Sequence, residues 1–157
     1  MSLSKWDKQD QNILELLQRD ATLSVADIAE RVDISKSACW RRIQKLEECG
    51  VIQQRVTLLS QQHVNLPVTV YISVRTNQHN DQWAEQFKSA VEGIPVVLEV
   101  YRMSGDLDYL IKAVVQDVQG YDRLYKELIK ININDVSASF VMETIKKTTE
   151  LPLSHFG

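Results

Sequence analysis

Two serines eleven residues apart, Ser24 and Ser35, constrain the fold of this chain more than any other feature. Each stands where a helix N-cap is wanted, a short polar side chain ahead of a run with apolar residues at offsets of three and four. Behind Ser24, the residues Val25, Ile28, Ala29 and Val32 mark a buried stripe, and Asp27 holds the reciprocal position of a capping box. Behind Ser35 the pattern runs to Gly50, the residue type expected just past a helix C-terminus. Only Asp33-Ile34 separates the two runs, so the spacing predicts a helix-turn-helix. A helix before them, from Asp7 to Arg19, has Asp7 as its cap and Ile13, Leu16 and Leu17 at helical offsets.

The helix behind Ser35 can be read face by face at 100° per residue. Cys39, Ile43 and Leu46 share one side and point inward, leaving Ser37, Arg41, Gln44 and Glu48 outside, flanked by Trp40 and Lys45. Between Ile34 and Leu46 there are four basic residues, Lys36, Arg41, Arg42 and Lys45, and no acidic one. The whole chain, 157 residues, carries a net charge of -3, which by itself argues against a phosphate-rich partner. The acidity is not evenly spread. Residues 1–60 hold nine basic and nine acidic side chains, while residues 61–157 hold nine and twelve. The basic helix is the second of a helix-turn-helix, the position from which outward side chains reach base edges in the major groove. Arg41 has the end group for guanine and Gln44 for adenine, and Ser37 suits any base. Lys36, Arg42 and Lys45 are expected on phosphates. Trp40 suits either the sugar-phosphate backbone or the edge of the core.

After Gly50, residues Val51 to Leu59 read as an extended wing or linking strand, and Ser60 to Asn65 as a polar joint. A second pattern then begins. Leu66 to Arg75 alternates, with Val68, Val70, Ile72 and Val74 on one face. Asn80 to Val91 has helical spacing, and Val96–Met103 and Tyr109–Val115 flank the tight segment Ser104-Gly105-Asp106-Leu107-Asp108, a hairpin signal. A helix with a broad stripe of Val118, Tyr121, Leu124, Tyr125, Leu128 and Ile129 follows, and Val136 to Ile145 is the last strand. This order is the ferredoxin-like βαββαβ unit, a sheet with helices on one face only. The chain is therefore expected to be α+β, with a winged helix-turn-helix in 1–60 and the βαββαβ domain in 61–157. The uncovered sheet face makes a homodimer the default.

The run Leu23 to Val32, the run Ile34 to Ile52, the hairpin Met103 to Leu110 and the endings Ser139–Glu143 and Thr148–Leu153 resemble the Lrp/AsnC (feast/famine) transcriptional regulators over nearly the whole chain. One departure is Asp33, where relatives often carry Gly; Asp tolerates positive φ better than most residues. The resemblance implies a RAM-type second domain and a dimer that often assembles to tetramers or octamers. It also implies a protein that binds double-stranded DNA and responds to a small effector, usually an amino acid, held between dimers around the hairpin. Ser104, Gly105, Asp106 and Asp108 carry over as effector-site candidates, with Tyr101, Met103, Tyr109, Ser139 and Phe140 as neighbours. Their chemistry suits that role, since an ammonium wants a carboxylate and a carboxylate wants exposed backbone N–H groups. The Thr148–Leu153 ending looks like that of a subgroup responding to apolar or sulfur amino acids.

Other classes find less support. No phosphate loop, G-x-S-x-G or H-E-x-x-H occurs, and no histidine, lysine or nucleophilic serine lies near Asp106 and Asp108 to complete an acid-base set, so an enzyme is not expected. Siroheme decarboxylase subunits resemble the same two-domain build, but here the histidines are scattered and the basic helix is intact. Cys39, Cys49, His63, His79 and His155 lack zinc spacing, and neither a cofactor nor a metal is expected. No run approaches the ~20 apolar residues of a membrane span, and a cytoplasmic location is expected.

Overall fold

The computed structural model describes residues 6–133 and 135–157. The chain divides into two compact units. The first runs to Thr57 and takes back Lys146–Gly157 from the other end of the chain, and the second is Leu58–Ile145. The sequence places the division after residue 60 and the whole of 61–157 in one domain; here the last twelve residues belong with the helices and not with the sheet.

The first unit contains α1 (Lys8–Arg19), α2 (Val25–Arg31) and α3 (Lys36–Glu48). Each starts at its expected cap. Asp7 Oδ1 accepts from the Asp10 N–H at 2.9 Å and Asp10 returns the bond at 3.1 Å. Ser24 and Asp27 form the same reciprocal box, and Ser35 Oγ accepts from the Ala38 N–H at 3.2 Å; such caps each contribute roughly 1 kcal/mol. The turn between α2 and α3 places Asp33 at φ 56°, and α3 ends on Gly50 at φ 73°. Ile13, Leu14, Ile28, Ala29, Val32, Cys39, Ile43 and Leu46 form the core. In α1 the stripe is rotated from the expected one: Leu14 is buried, while Leu16 and Leu17 are only half-buried. Burial pushes the Cys39 thiol above its ordinary pKa, as expected of an inert packing thiol. Residues 51–59 form no strand. Ile52 N–H donates back to the Leu46 carbonyl, and the chain beyond has no ladder partner among the described residues.

The second unit contains β1 (Val68–Arg75), α4 (Asp81–Glu92), β2 (Val97–Arg102), β3 (Tyr109–Val115), α5 (Val118–Ile129) and β4 (Asp135–Phe140). The four strands pair antiparallel in the order β2-β3-β1-β4, the ferredoxin-like arrangement. Val70, Ile72 and Val74 of β1 and Ile111, Ala113 and Val115 of β3 pack against Trp83, Phe87 and Val91 of α4 and Leu124 and Leu128 of α5. Both helices therefore cover one face, as a period-two strand pattern with a single apolar side requires. The stripe of α5 is narrower than expected, because Val118 and Ile129 are exposed. The last strand is also shorter than its apolar run. Register pairs Phe140 with Val70, and one further bond joins Val141 N–H to the Thr69 carbonyl; β1 begins at Val68 behind Pro67, so its neighbour runs out there.

Candidate nucleic-acid interface and effector hairpin

Ser35 fixes the first turn of α3 and the buried Cys39, Ile43 and Leu46 fix its rotation. That rotation leaves Lys36, Ser37, Trp40, Arg41 and Lys45 exposed. Ser37, Trp40, Arg41 and Gln44 form one outward row at helical offsets. Ala38, Arg41, Arg42 and Lys45 form the next, above a shallow cavity of about 320 Å³ that also touches Asp10. Arg41 belongs to both rows, the central place for a base-reading fork. Trp40 is 53% exposed, with part of its ring presented on the outward row. Gln44 is half-buried and makes a long 3.4 Å bond to Glu47, which also holds Arg55 at 2.8 Å.

Arg42 departs from expectation. Its Nη1 donates to Asp10 at 2.8 Å and to Asp7 at 2.9 Å, tying α3 to the start of α1. The bonds to Asp10 first, and Asp7 second, hold the guanidinium above its ordinary pKa. Asp7 is held below its ordinary value, chiefly by the Asp10 N–H and further by Arg42. Arg42 thus serves as an interhelical clamp, and a phosphate would have to compete with two carboxylates for it. Lys36, Arg41 and Lys45 make no salt bridge among the described residues; Lys45 instead lies over the Trp6 ring, 5.0 Å from its centroid.

The effector candidates separate into three places. Met103, Ser104, Gly105, Asp106 and Asp108 form the hairpin, closed by Met103 N–H donating to the Asp108 carbonyl at 2.8 Å, with Gly105 at φ 106°. Asp108 accepts from the Thr76 N–H at 2.8 Å and donates its own N–H to Val74, so it fastens the loop to the end of β1. Asp106 is gripped by Arg75, whose Nη2 reaches its carboxylate at 2.6 Å and whose Nε reaches its carbonyl at 3.1 Å; Nη1 holds Asp135 at 3.2 Å. These bonds raise the Arg75 pKa, with that to Asp106 foremost. Tyr109 starts β3 on the helix side, 4.7 Å from Phe87 between ring centroids.

Tyr101 and Ser139 lie elsewhere, on the open sheet face. Register sets Ser139, Tyr71, Lys112 and Glu99 in one row across the sheet, and Ser137, Ser73, Leu110 and Tyr101 in the next. The Tyr101 hydroxyl donates to Glu99, which Lys112 also holds at 3.2 Å. The Tyr101 bond, and then Lys112, keep Glu99 below the usual carboxylate range. Phe140 faces the helix side, edge-on to Tyr121 at 5.2 Å. Ser139 pairs with Tyr71, four residues back from Arg75, about 13 Å along the strand. A single protomer therefore does not bring Ser139 and Phe140 to the hairpin.

Sequence reasoning missed Arg75, Thr76 and Asp135. The only hint was a lone cation ending an apolar strand, and its partners are 31 and 60 residues away, visible only through strand register. Beside the hairpin, Met103, Asp108 and Tyr109 share a cavity of about 180 Å³ with Thr76, His79 and Arg102, a second set the linear motif did not contain.

Two families match the chain: the Lrp/AsnC ligand binding domain over residues 69–151 and the winged helix-turn-helix DNA-binding family over residues 7–53. The glutamate uptake regulatory protein of Zymomonas mobilis is 46% identical over 152 residues, covering 96% of this chain and 93% of its own. The crystal structure of an AsnC family transcriptional regulator from Agrobacterium tumefaciens superposes with a TM-score of 0.91 at 52% identity, covering 96% of this chain and 99% of its own. Transcriptional regulator NMB0573 from Neisseria meningitidis, in complex with L-Met, gives the same TM-score at 34% identity, over 96% and 99% of the two chains. With both halves matched in order and relatives aligned end to end, the chain belongs to the Lrp/AsnC family of DNA-binding transcriptional regulators.

Proposed function

We propose that this chain regulates transcription as a cytoplasmic homodimer, or a higher assembly of dimers, that lays α3 of each protomer in the major groove and is tuned by an α-amino acid at the hairpin. The carrying observation is the outward face of α3, where Lys36, Arg41 and Lys45 stand beside Ser37 and Trp40 without acidic partners among the described residues. In this reading Arg41 reads guanine, Gln44 and Ser37 read neighbouring bases, and Lys36 and Lys45 hold phosphates. Support for the dimer comes from the uncovered sheet face and from apolar residues left exposed in extended segments: Val56, Leu58 and Leu59 before the sheet, Met142 and Ile145 after it.

An amino-acid effector agrees with the L-Met complex of the Neisseria meningitidis relative. It agrees as well with a glycine turn followed by two carboxylates, Asp106 and Asp108. Asp106 would offer its free oxygen to the ammonium, and since Arg75 already holds that carboxylate, binding would loosen the Arg75 clamp. The separation of Tyr101, Ser139 and Phe140 from the hairpin fits a pocket completed by another copy of the chain. Thermal melting with each of the twenty amino acids tests this. A ligand at ~100 times its dissociation constant adds about 2.7 kcal/mol; no shift with any of them would remove the amino acid from the proposal. Gel shifts with the DNA upstream of the protein's own gene test the DNA half, and absence of retardation at low salt would leave an amino-acid-sensing module without DNA binding.

A further inference from the structure

The chain leaves the sheet after β4, yet residues 146–157 pack on the helices. Gln18 grips the segment with its side-chain amide, Nε2 donating to the Leu151 carbonyl at 3.1 Å and Oε1 accepting the Leu151 N–H at 2.6 Å. Arg19 holds Glu150 at 3.3 Å, and Leu153 and Phe156 pack on the helical core. Phe156 stacks on Trp6 at 5.9 Å with an interplanar angle of 12°. The segment therefore runs antiparallel to α1. Beyond Leu151 it folds into a turn, closed by the Phe156 N–H donating to the Leu153 carbonyl at 3.1 Å, which brings the Phe156 ring to Trp6. One segment is thus fastened at Gln18, near the end of α1, and at Trp6, just ahead of its cap.

Trp6 is also the ring under Lys45. We propose that the C-terminal segment is a positioning element of the DNA interface: Phe156 fixes the Trp6 indole, and the indole fixes the Lys45 ammonium for a phosphate. The neighbouring clamp has the same design, since Asp7 and Asp10 at the start of α1 hold Arg42, one turn before Lys45 on α3. A lysine has four rotatable bonds and loses their freedom when it reaches a phosphate, and restraint beforehand lowers that loss. Trp offers the most favourable ring for a cation, and a ring face attracts the charge without using up the three N–H donors. Phe156 and Trp6 touch no DNA in this scheme; they act through Lys45.

The proposal rests on α3 binding DNA, and the test separates the two claims. Fluorescence anisotropy with a labelled duplex from upstream of the protein's own gene, and with a random-sequence duplex, is measured against salt for wild type, Phe156→Ala, Lys45→Ala and the double variant. Trp6→Leu, alone and with Lys45→Ala, keeps apolar packing without the ring and serves if Phe156→Ala unfolds. The expected result is a loss of about two- to fivefold per protomer on both duplexes for Phe156→Ala and Trp6→Leu. The salt slope moves toward that of Lys45→Ala, the double variants bind no more weakly than Lys45→Ala alone, and Phe156→Tyr behaves as wild type. Multiplying losses in the double variants, or wild-type binding by Lys45→Ala or by both single variants, would overturn the proposal while leaving the DNA-binding reading intact. Failure of the wild type to bind either duplex would overturn that reading itself.

Discussion

Replacing Arg42 by Met keeps an unbranched stem and deletes the guanidinium that joins α3 to α1. Asp10, only 6% exposed, then loses its 2.8 Å bond and keeps the 3.1 Å bond from the Asp7 N–H. A buried charged acceptor left without its partner costs roughly 1.5–3 kcal/mol. The second arm, to the half-exposed Asp7 carboxylate, adds less than about 1 kcal/mol. The total is about 2–3 kcal/mol. If the helical unit melts by itself, at the ~4–8 °C per kcal/mol of a domain its size, its midpoint falls by about 10–20 °C; if the whole chain melts together, by about 5–10 °C. Circular dichroism melting reads this directly. Arg42→Met with Asp10→Leu should recover most of the loss, because removing both partners leaves no orphaned charge. The salt slope of DNA binding should not change. A drop under about 3 °C, or a slope lower by about 1.8 for the two protomers, would refute the clamp and return Arg42 to the phosphates.

Other outcomes follow from the same geometry. Asp106→Ala, which removes an exposed carboxylate, should abolish any amino-acid-induced rise in melting temperature with little change in intrinsic stability or DNA affinity. Asp108→Ala should abolish the same rise and also cost about 1–2 kcal/mol, because the Thr76 N–H loses its acceptor. Gly105→Ala meets no atom within 4 Å, so its cost is backbone strain alone at φ 106°, roughly 1–3 kcal/mol by denaturant unfolding. Acid should weaken the helical unit. Asp7, Asp20 and Asp27 are held below their ordinary value of 3.8, chiefly by the Asp10 N–H, the Thr22 hydroxyl and the Ser24 hydroxyl respectively. A depressed folded pKa gives stability that is present above the ordinary value and lost as pH falls through the folded one. Melting midpoints should therefore drop below about pH 4, and less steeply in Asp27→Asn; an unchanged dependence in that variant would remove its capping box from the explanation.

What could be read from the sequence was what local physics decides. Asp7, Ser24 and Ser35 cap the helices they precede, Asp33 takes the positive φ of the turn, and the alternation of β1 gives the core face of the sheet. Strand order followed from the order of elements. What could not be read depends on partners distant in sequence. Arg42 looked like one of four equivalent cations until α1 laid Asp7 and Asp10 beside it. Phe140 and Ser139 looked like one motif, although adjacent strand residues face opposite sides. The segment after Lys146 carried no helical or strand period, so nothing local assigned it to α1, and Gln18 gave no sign that its amide would pair with backbone. The expected wing over 51–59 has no partner strand among the described residues, and β-propensity alone does not supply one.

The central claim is that two outward faces of α3, one from each protomer, hold a duplex. Fluorescence anisotropy of the chain on the DNA upstream of its own gene, repeated from about 50 to about 200 mM salt, tests it most directly. With Lys36 and Lys45 from each protomer on phosphates, the account predicts a log-log slope of about -3.6, lowered by about 1.8 in Lys36→Ala, and a loss of sequence preference in Arg41→Ala. Binding that ignores salt, or that survives Lys36→Ala and Arg41→Ala unchanged, would contradict it.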